Sequence, residues 1–410
     1  MSKKVTIFTG LVKIGQDLVG TAVCYRQIAH FLKANGFLVT MVVPEEVDNP
    51  EKGIQYSIYN EGRNKKIISA SDIIIFGAYP PVDPLEYAYK NKKIIISYLW
   101  SISPIGSLEF KDVPSRDEQH KKHELVVDAY NKSLAYSDKI FCRSQKARDF
   151  ILGSLSSLGR ANVYNYGKDR NFQNLIEVAP FGIPQTKPIH KKNIYRGVIK
   201  NINNNDFLLL WNGGVWNWND AQGLVEIMRH ISRQSKKIKL VFQGFHNPQS
   251  KYVLSREAKR AKRLAEKYKL IDKNIFIPSE WINFDERGNY LSEVDAGITL
   301  SPNIPEANYF IKTRYYDYLW ANKPIILNEF EAFAPEVEEN NLGLVLKGNY
   351  RVMAEEIIKF SKNKKNINLI EQNINVYKKG KDWKTGLAPV INYCKKAKYS
   401  ADHRFEKKYI

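Results

Sequence analysis

Cysteine is scarce. The 410 residues hold three, Cys24, Cys142 and Cys394, an odd number with no C-x-x-C pair among them. That argues against a disulfide framework or a zinc site and for a reducing compartment. No uninterrupted apolar run approaches the length of a membrane span. The opening MSKKVTIFTG carries charges, but its apolar run is too short for a secretory signal, so the expectation is a cytoplasmic protein. Histidine offers no metal site: His30, His120, His123, His190, His230, His246 and His403 fall at no ligand spacing. Two phosphate-binding signatures are missing as well. After the first apolar run, Gln16 stands where a Walker A loop would place lysine, and no G-x-G-x-x-G occurs there. Short repeats and low-complexity tracts are also absent.

The chain does have enough length for two domains or one large one. Its apolar share of 43% and aromatic share of 12% are those of a globular protein rather than a disordered one. Lysine and arginine number 63 against 43 aspartates and glutamates, a formal charge of +20. Nucleic acid, an anionic membrane face and a phosphorylated ligand all suit that charge, and charge alone does not choose among them.

Residues 5–8 form a short apolar run that ends in Thr9-Gly10, a strand feeding a loop. The loop GLVKIGQDLVG has glycines at Gly10, Gly15 and Gly20, which suit close backbone approach to a ligand at the strand end. A helix is expected over 21–35, with Ala22, Tyr25, Ile28, Ala29 and Leu32 at helical spacing. Further strands are expected at 37–43, 73–76, 93–98 and 139–142, with helical patterns near Glu86 and over 116–134. Strand and helix alternating in this way predict a parallel sheet covered on both faces. Residues 183–205, with two prolines and many lysines and asparagines but no sustained period, mark a domain boundary. A second α/β series follows, with strands at 207–210, 239–243, 274–277, 297–300, 324–327 and 344–346 and a strongly basic helix over 255–268. The predicted architecture is two Rossmann-like, doubly wound domains: 1–185, a linker over 186–205, and 206–380. Residues 381–410 supply a last helix and a basic tail. A ligand is expected in the cleft between the two domains.

Two stretches of the second domain carry chemistry. In LLLWNGGVWNWNDAQGLVEIM a strand ends at Trp211, Asn212-Gly213-Gly214 turns tightly, and Asp220 is placed to cap a helix. Glycines at a strand end let the backbone approach a diphosphate, which the following helix N-terminus would hold. Trp216 and Trp218 beside the turn read as ligand-lining, with core packing as the plain alternative. The stretch 298–328, ITLSPNIPEANYFIKTRYYDYLWANKPIILN, reads as a buried strand, a loop carrying Glu306, a helix opening near Lys312, and a second buried strand beginning at Pro324. Lys312 and Arg314 would sit at the helix start, where unpaired N–H groups favour an anion, with Asp317 about one turn further on. A solvated helix start with ordinary surface charges is the alternative.

The pairing of WNGGVWNWND with IKTRYYDYLWANKP, joined by FQGFHNP and EWINFDERGNYLSEVDAGITL, resembles bacterial glycosyltransferases of family four, which have the GT-B fold. SQKARDFILGSLSSLGRANVYNY, leading into LIEVAPFGIP, is similar to the same group's first domain, so the resemblance spans nearly the whole chain. It implies a retaining, metal-independent transferase without a cofactor, in which the second domain holds a nucleotide sugar and the first an acceptor. It further implies that Lys312 and Arg314 neutralise the diphosphate leaving group and that Asn212, Gly213 and Gly214 touch the diphosphate or sugar, with Trp216 and Thr313 on the donor side. The base would lie near Ser279, Trp281 and Ile282. Asp317 stands seven residues before Pro324, the position of the group's second glutamate, and so takes the ribose role. The nearest earlier carboxylate, Glu306, lies eleven residues before Asp317. That spacing is wider than the group's, and it places Glu306 against the donor sugar from a longer loop. His246, in GFHNP, reads equally as a donor contact or as a loop histidine with a structural hydrogen bond.

Such a reaction passes through an oxocarbenium-like state with a departing diphosphate, and front-face attack lets the leaving phosphate take the acceptor proton. Residues 350–377 are expected to form two helices. The last helix, GKDWKTGLAPVINYCKKAKY, is expected to cross back to the first domain with Trp383 as its anchor. The expected partners are a nucleotide sugar and a saccharide or lipid-linked acceptor, in cell-surface polysaccharide synthesis. The basic helix and tail suit an anionic inner-membrane surface, with a solvated lysine-rich face as the bland alternative. A catalytically silent GT-B subunit that supports a partner transferase stays open because of the Glu306–Asp317 spacing. A nucleic-acid-binding role is not expected, since the basic residues are spread over many elements and match no binding module.

Overall fold

The computed structural model describes residues 2–16, 18–245 and 254–403. The chain divides into two compact units. Residues up to Gly182 together with those from Trp383 onward form the first, and Ile183–Asp382 forms the second.

The first unit is built on a seven-stranded parallel sheet. Its strands are β1 (Lys4–Phe8), β2 (Leu38–Val43), β3 (Gln55–Ile58), β4 (Ile73–Phe76), β5 (Ile94–Leu99), β6 (Lys139–Cys142) and β7 (Ile176–Val178), in the order β3-β2-β1-β4-β5-β6-β7. The central strand β4 is IIIF and buried throughout, as a strand covered on both faces must be. β3 and the helix Glu61–Ala70 were not expected from the sequence. β3 is an edge strand with no fully buried residue, so it lacks an apolar signature.

The second unit is a six-stranded parallel sheet of β8 (Phe207–Asn212), β9 (Ile238–Gln243), β10 (Ile275–Phe276), β11 (Ala296–Thr299), β12 (Ile325–Asn328) and β13 (Gly343–Leu346). Its order is β10-β9-β8-β11-β12-β13. The winding reverses between β1 and β4 in the first sheet and between β8 and β11 in the second. These are the switch points outside whose carboxyl ends doubly wound folds bind ligands.

Residues 186–205 are not a free linker, because they pack on the second unit. The Glu293 carboxylate accepts the backbone N–H groups of Ile194, of Tyr195 (2.9 Å) and of Arg196 (2.7 Å). Arg196 in turn pairs with Asp295 at 2.8 Å, and Tyr195 is fully buried. The composition looked like a boundary because these partners lie about a hundred residues away.

The last helix, Trp383–Lys395, belongs to the first unit, and Trp383 seats it there. The Trp383 indole packs on Phe181, with ring centroids 4.3 Å apart. Its backbone comes so close to Gly182 that a Cβ there would lie 2.3 Å from the Trp383 Cα. The expected pair of helices before it is present as Tyr350–Lys362 and Lys364–Tyr377. Among the described residues no helix is long and apolar enough to cross a membrane.

Candidate functional site

The carboxyl ends of β8 and β11 bring the two motif stretches of the second unit together. After β8 the chain turns at Gly213, whose φ of +87° is the left-handed region that favours glycine. Gly244, after β9, has a φ of +90°. A Cβ on Gly244 would lie 2.7 Å from the Trp281 ring and 3.0 Å from the Gly213 Cα, so Gly213, Gly244 and Trp281 form one tight cluster. Trp216 and Trp218, both half-buried, stack at 5.5 Å beside Gly214. Asp220 caps the helix Ala221–Gln234 as expected, accepting the Gly223 N–H at 2.8 Å.

After β11 the chain differs from the expected loop and helix. Glu306 lies on a short helix, Pro305–Tyr309, and is buried. The next helix is Arg314–Trp320, opening two residues later than expected, with Thr313 half-buried at its N-cap. Lys312 precedes it and is 4% exposed. Its ammonium donates to Ser301 Oγ and to Glu331 Oε1, the latter at 2.5 Å. Burial pushes its pKa down, and the Glu331 charge opposes that shift. Lys312 is therefore ion-paired with Glu331 inside the unit.

Arg314 differs. Its guanidinium lies 4.5 Å from the Trp211 ring, and Nη2 donates to the Gly214 carbonyl at 2.8 Å. Nη1 is buried and has no acceptor. The Trp281 Nε1–H is likewise buried without an acceptor. Two unsatisfied donors beside a glycine turn, at a switch point, are what a bound oxyanion or hydroxyl would complete.

Asp317 is held from two sides. Oδ1 accepts from Arg287 Nε at 3.0 Å and Oδ2 from Asn212 Nδ2 at 2.9 Å. Burial raises its pKa, with Arg287 as the largest opposing influence. Asn212 also accepts from Tyr290 Oη (2.9 Å) through its side-chain oxygen, and its N–H donates to Tyr318 Oη at 2.9 Å. The Arg287 guanidinium lies 3.6 Å from the Phe284 ring and 4.3 Å from the Trp320 ring. Asp317 thus braces the β8 turn, and its two oxygens keep further lone pairs.

The structure brings Asn212, Gly213, Gly214, Trp281, Arg314 and Asp317 together. Ser279 is exposed and Ile282 half-buried on the Trp281 segment. His246 lies outside the described residues. Sequence reasoning missed Arg287, Tyr290, Tyr318 and Glu331. Tyr290 and Tyr318 carried only an apolar-face signal, and the two charged residues carried no local signal. In the first unit, Gly10 has a φ of +61°, and its Cβ would meet the Tyr79 carbonyl at 3.1 Å. Gly15 packs on Asp48, whose Oδ1 accepts the Gln16 N–H at 3.0 Å, and Gly20 opens the helix Gly20–Ala34. Among the described residues no three His, Cys, Asp or Glu side chains group as metal ligands.

No protein-family model matches the sequence, and no curated protein matches it either. Solved structures do. Sucrose-phosphate synthase from Thermosynechococcus elongatus superposes with a TM-score of 0.64 at 13% identity, over 96% of this chain and 98% of that one. WaaG, a glycosyltransferase involved in lipopolysaccharide biosynthesis, gives 0.64 at 13% over 97% and 98%. HepE from Anabaena, solved in complex with UDP-glucose, gives 0.66 at 11% over 96% and 99%. Two parallel-sheet Rossmann-like units in this order, matched along almost the full length of such proteins, establish that this chain has the GT-B glycosyltransferase fold.

Proposed function

We propose that this chain is a glycosyltransferase that moves a sugar from a nucleotide-sugar donor to a saccharide or lipid-linked saccharide acceptor. The observation that carries the reading is the second unit's switch point. There, positive-φ Gly213, buried Arg314 Nη1 and buried Trp281 Nε1–H all present ligand-ready groups. The solved complexes of HepE with UDP-glucose and with UDP support a nucleotide-diphosphate ligand. In this reading Arg314 stabilises the departing diphosphate, the dominant demand of an oxocarbenium-like transfer. Glu306 faces the donor sugar, Lys312 acts through Glu331 to hold the loop, and the base packs toward Ser279, Trp281 and Ile282. Transfer proceeds with retention and without a metal, as in family four, in cell-surface polysaccharide synthesis such as that of lipopolysaccharide or capsule. The protein works at the inner face of the cell membrane, with the basic helix Arg256–Lys267 toward anionic lipid.

The test is thermal stability against nucleoside diphosphates and nucleotide sugars, with and without magnesium, for the native protein and Arg314→Ala. A ligand at a hundred times its dissociation constant adds about 2.7 kcal/mol. Stabilisation by one base family, independent of metal and lost in the variant, is expected. No response to any nucleotide would sink the proposal. The engagement of Lys312 by Glu331 favours one second reading, a donor-binding subunit without turnover. Binding accompanied by neither hydrolysis nor transfer would select it.

A further inference from the structure

Seven basic side chains are deeply buried among the described residues: Lys139, Arg143, Arg160, Lys239, Arg287, Lys312 and Arg314. Six of them have acceptors. Arg160 is forked onto both oxygens of Asp402, Lys139 pairs with Glu177, and Lys239 donates to the Lys273 carbonyl. Arg287, Lys312 and Arg314 are bonded as described above. Arg143 is the exception. It is 4% exposed, yet Nε, Nη1 and Nη2 all lack a hydrogen-bond partner. A desolvated guanidinium without an anion is unfavourable enough that a fold keeps one only where something compensates it.

The position of Arg143 points to the compensating group. It follows β6 directly, at the carboxyl edge of the first sheet, two strands beyond β4 at the switch point. Its guanidinium lies 5.1 Å from the Phe181 ring and beside the thiol of Cys24, in the second turn of the helix Gly20–Ala34. Burial pushes that thiol's pKa up and the Arg143 charge opposes the shift, but a thiol sulfur is at best a weak, uncharged acceptor and supplies no anion for the guanidinium. The helix Gly20–Ala34 starts at the same sheet edge. Its N-cap, Val19, offers no side-chain acceptor, and its first turn has no acidic residue. The start of that helix and the Arg143 guanidinium thus belong to the same sheet edge of one unit, and both favour an oxyanion.

We propose that Arg143 binds an oxyanion carried by the acceptor, a phosphate ester or a carboxylate, at the carboxyl edge of the first unit's sheet. The proposal rests on the glycosyltransferase reading for the word acceptor, while the anion site itself does not. A guanidinium fork suits both groups through paired N–H donors. The transferase would then take a phosphorylated or uronic saccharide, or a lipid-linked one presenting its phosphate, in preference to a neutral sugar.

The experiment measures melting temperature and calorimetric binding of the full chain with inorganic phosphate, glucose 6-phosphate, glucuronate and neutral glucose, at ionic strength matched with chloride. UDP is a separate arm. The native protein is compared with Arg143→Met, and with Arg143→Gln should the first not fold. Expected results are stabilisation by the phosphates or by glucuronate but not by glucose, and affinity weakened roughly tenfold or more in the variants. The ligand-free melting temperature of Arg143→Met should equal or exceed the native value, because an uncompensated charge has been removed. Response to the phosphates alone identifies an ester, and response to glucuronate alone identifies a uronic acceptor. The proposal is overturned if no anion stabilises the native protein beyond chloride, or if the variants respond undiminished. It is also overturned if Arg143→Met melts lower while native and variant bind anions alike. A UDP response without an anion response removes this proposal and leaves the donor site standing. An Arg143-dependent anion response without a UDP response does the reverse.

Discussion

Replacing Lys312 by methionine removes the cation from a pair buried on both sides. Lys312 is 4% exposed and Glu331 2%. The ammonium's other partner is Ser301 Oγ, in a loop fastened by Asn328, whose side chain accepts the Ser301 N–H and donates to its carbonyl. Loss of one member of such a pair leaves an uncompensated buried carboxylate, at about 3–5 kcal/mol. A unit the size of Ile183–Asp382 loses about 2–4 °C of Tm per kcal/mol. Lys312→Met should therefore lower the melting of that unit by roughly 6–20 °C. The double variant Lys312→Met/Glu331→Leu removes both charges and should recover most of the loss, because well-packed apolar replacements of buried pairs are often neutral. The assay is differential scanning calorimetry of native, single and double variants as a cycle. A double variant no more stable than its worse parent would refute the argument and show that Lys312 draws its stability from elsewhere.

Other perturbations follow from the same geometry. Glu257 accepts the backbone N–H and the side-chain amide of Gln222 at 2.8 and 2.7 Å, and burial raises its pKa above the ordinary 4.5. A raised folded value means that its contribution is complete below 4.5 and is lost as pH rises through the folded value. Glu257→Gln should therefore gain stability relative to the native protein as pH rises from 4.5 toward neutrality, read from urea midpoints. An unchanging difference would contradict this. Gly182→Ala places a Cβ 2.3 Å from Trp383 Cα and 2.4 Å from its nitrogen. Backbone cannot rotate away, so a loss of about 1–3 kcal/mol is expected in the first unit, measured by its thermal transition. An unaffected transition would mean that the last helix moves freely.

Much of the fold was legible because its signals are local. Runs such as IIIF and LLLW must be strands buried on both faces, and their alternation with helical periods admits little besides a parallel sheet. The Asn212-Gly213-Gly214 turn, the Asp220 cap and the Trp383 anchor were readable for the same reason. The bonding partners of Lys312 and Asp317 were not. They are residues from other elements, Glu331 for the one, Arg287 and Asn212 for the other, which no spacing announces. The linker reading of residues 186–205 missed their packing because its partner, Glu293, is distant in sequence.

The sequence by itself determined two α/β series, the glycine turn and the charges near the second switch point. A strand's burial and a helix's period are properties of neighbouring residues, and they survive without knowledge of the rest. Only the tertiary structure decided which charges are spent on one another and which are left over. Lys312 is taken by Glu331 and Asp317 by Arg287, while Arg314 keeps one nitrogen and Arg143 all three without an acceptor. That division depends on which groups the fold brings within hydrogen-bond reach after water has been removed.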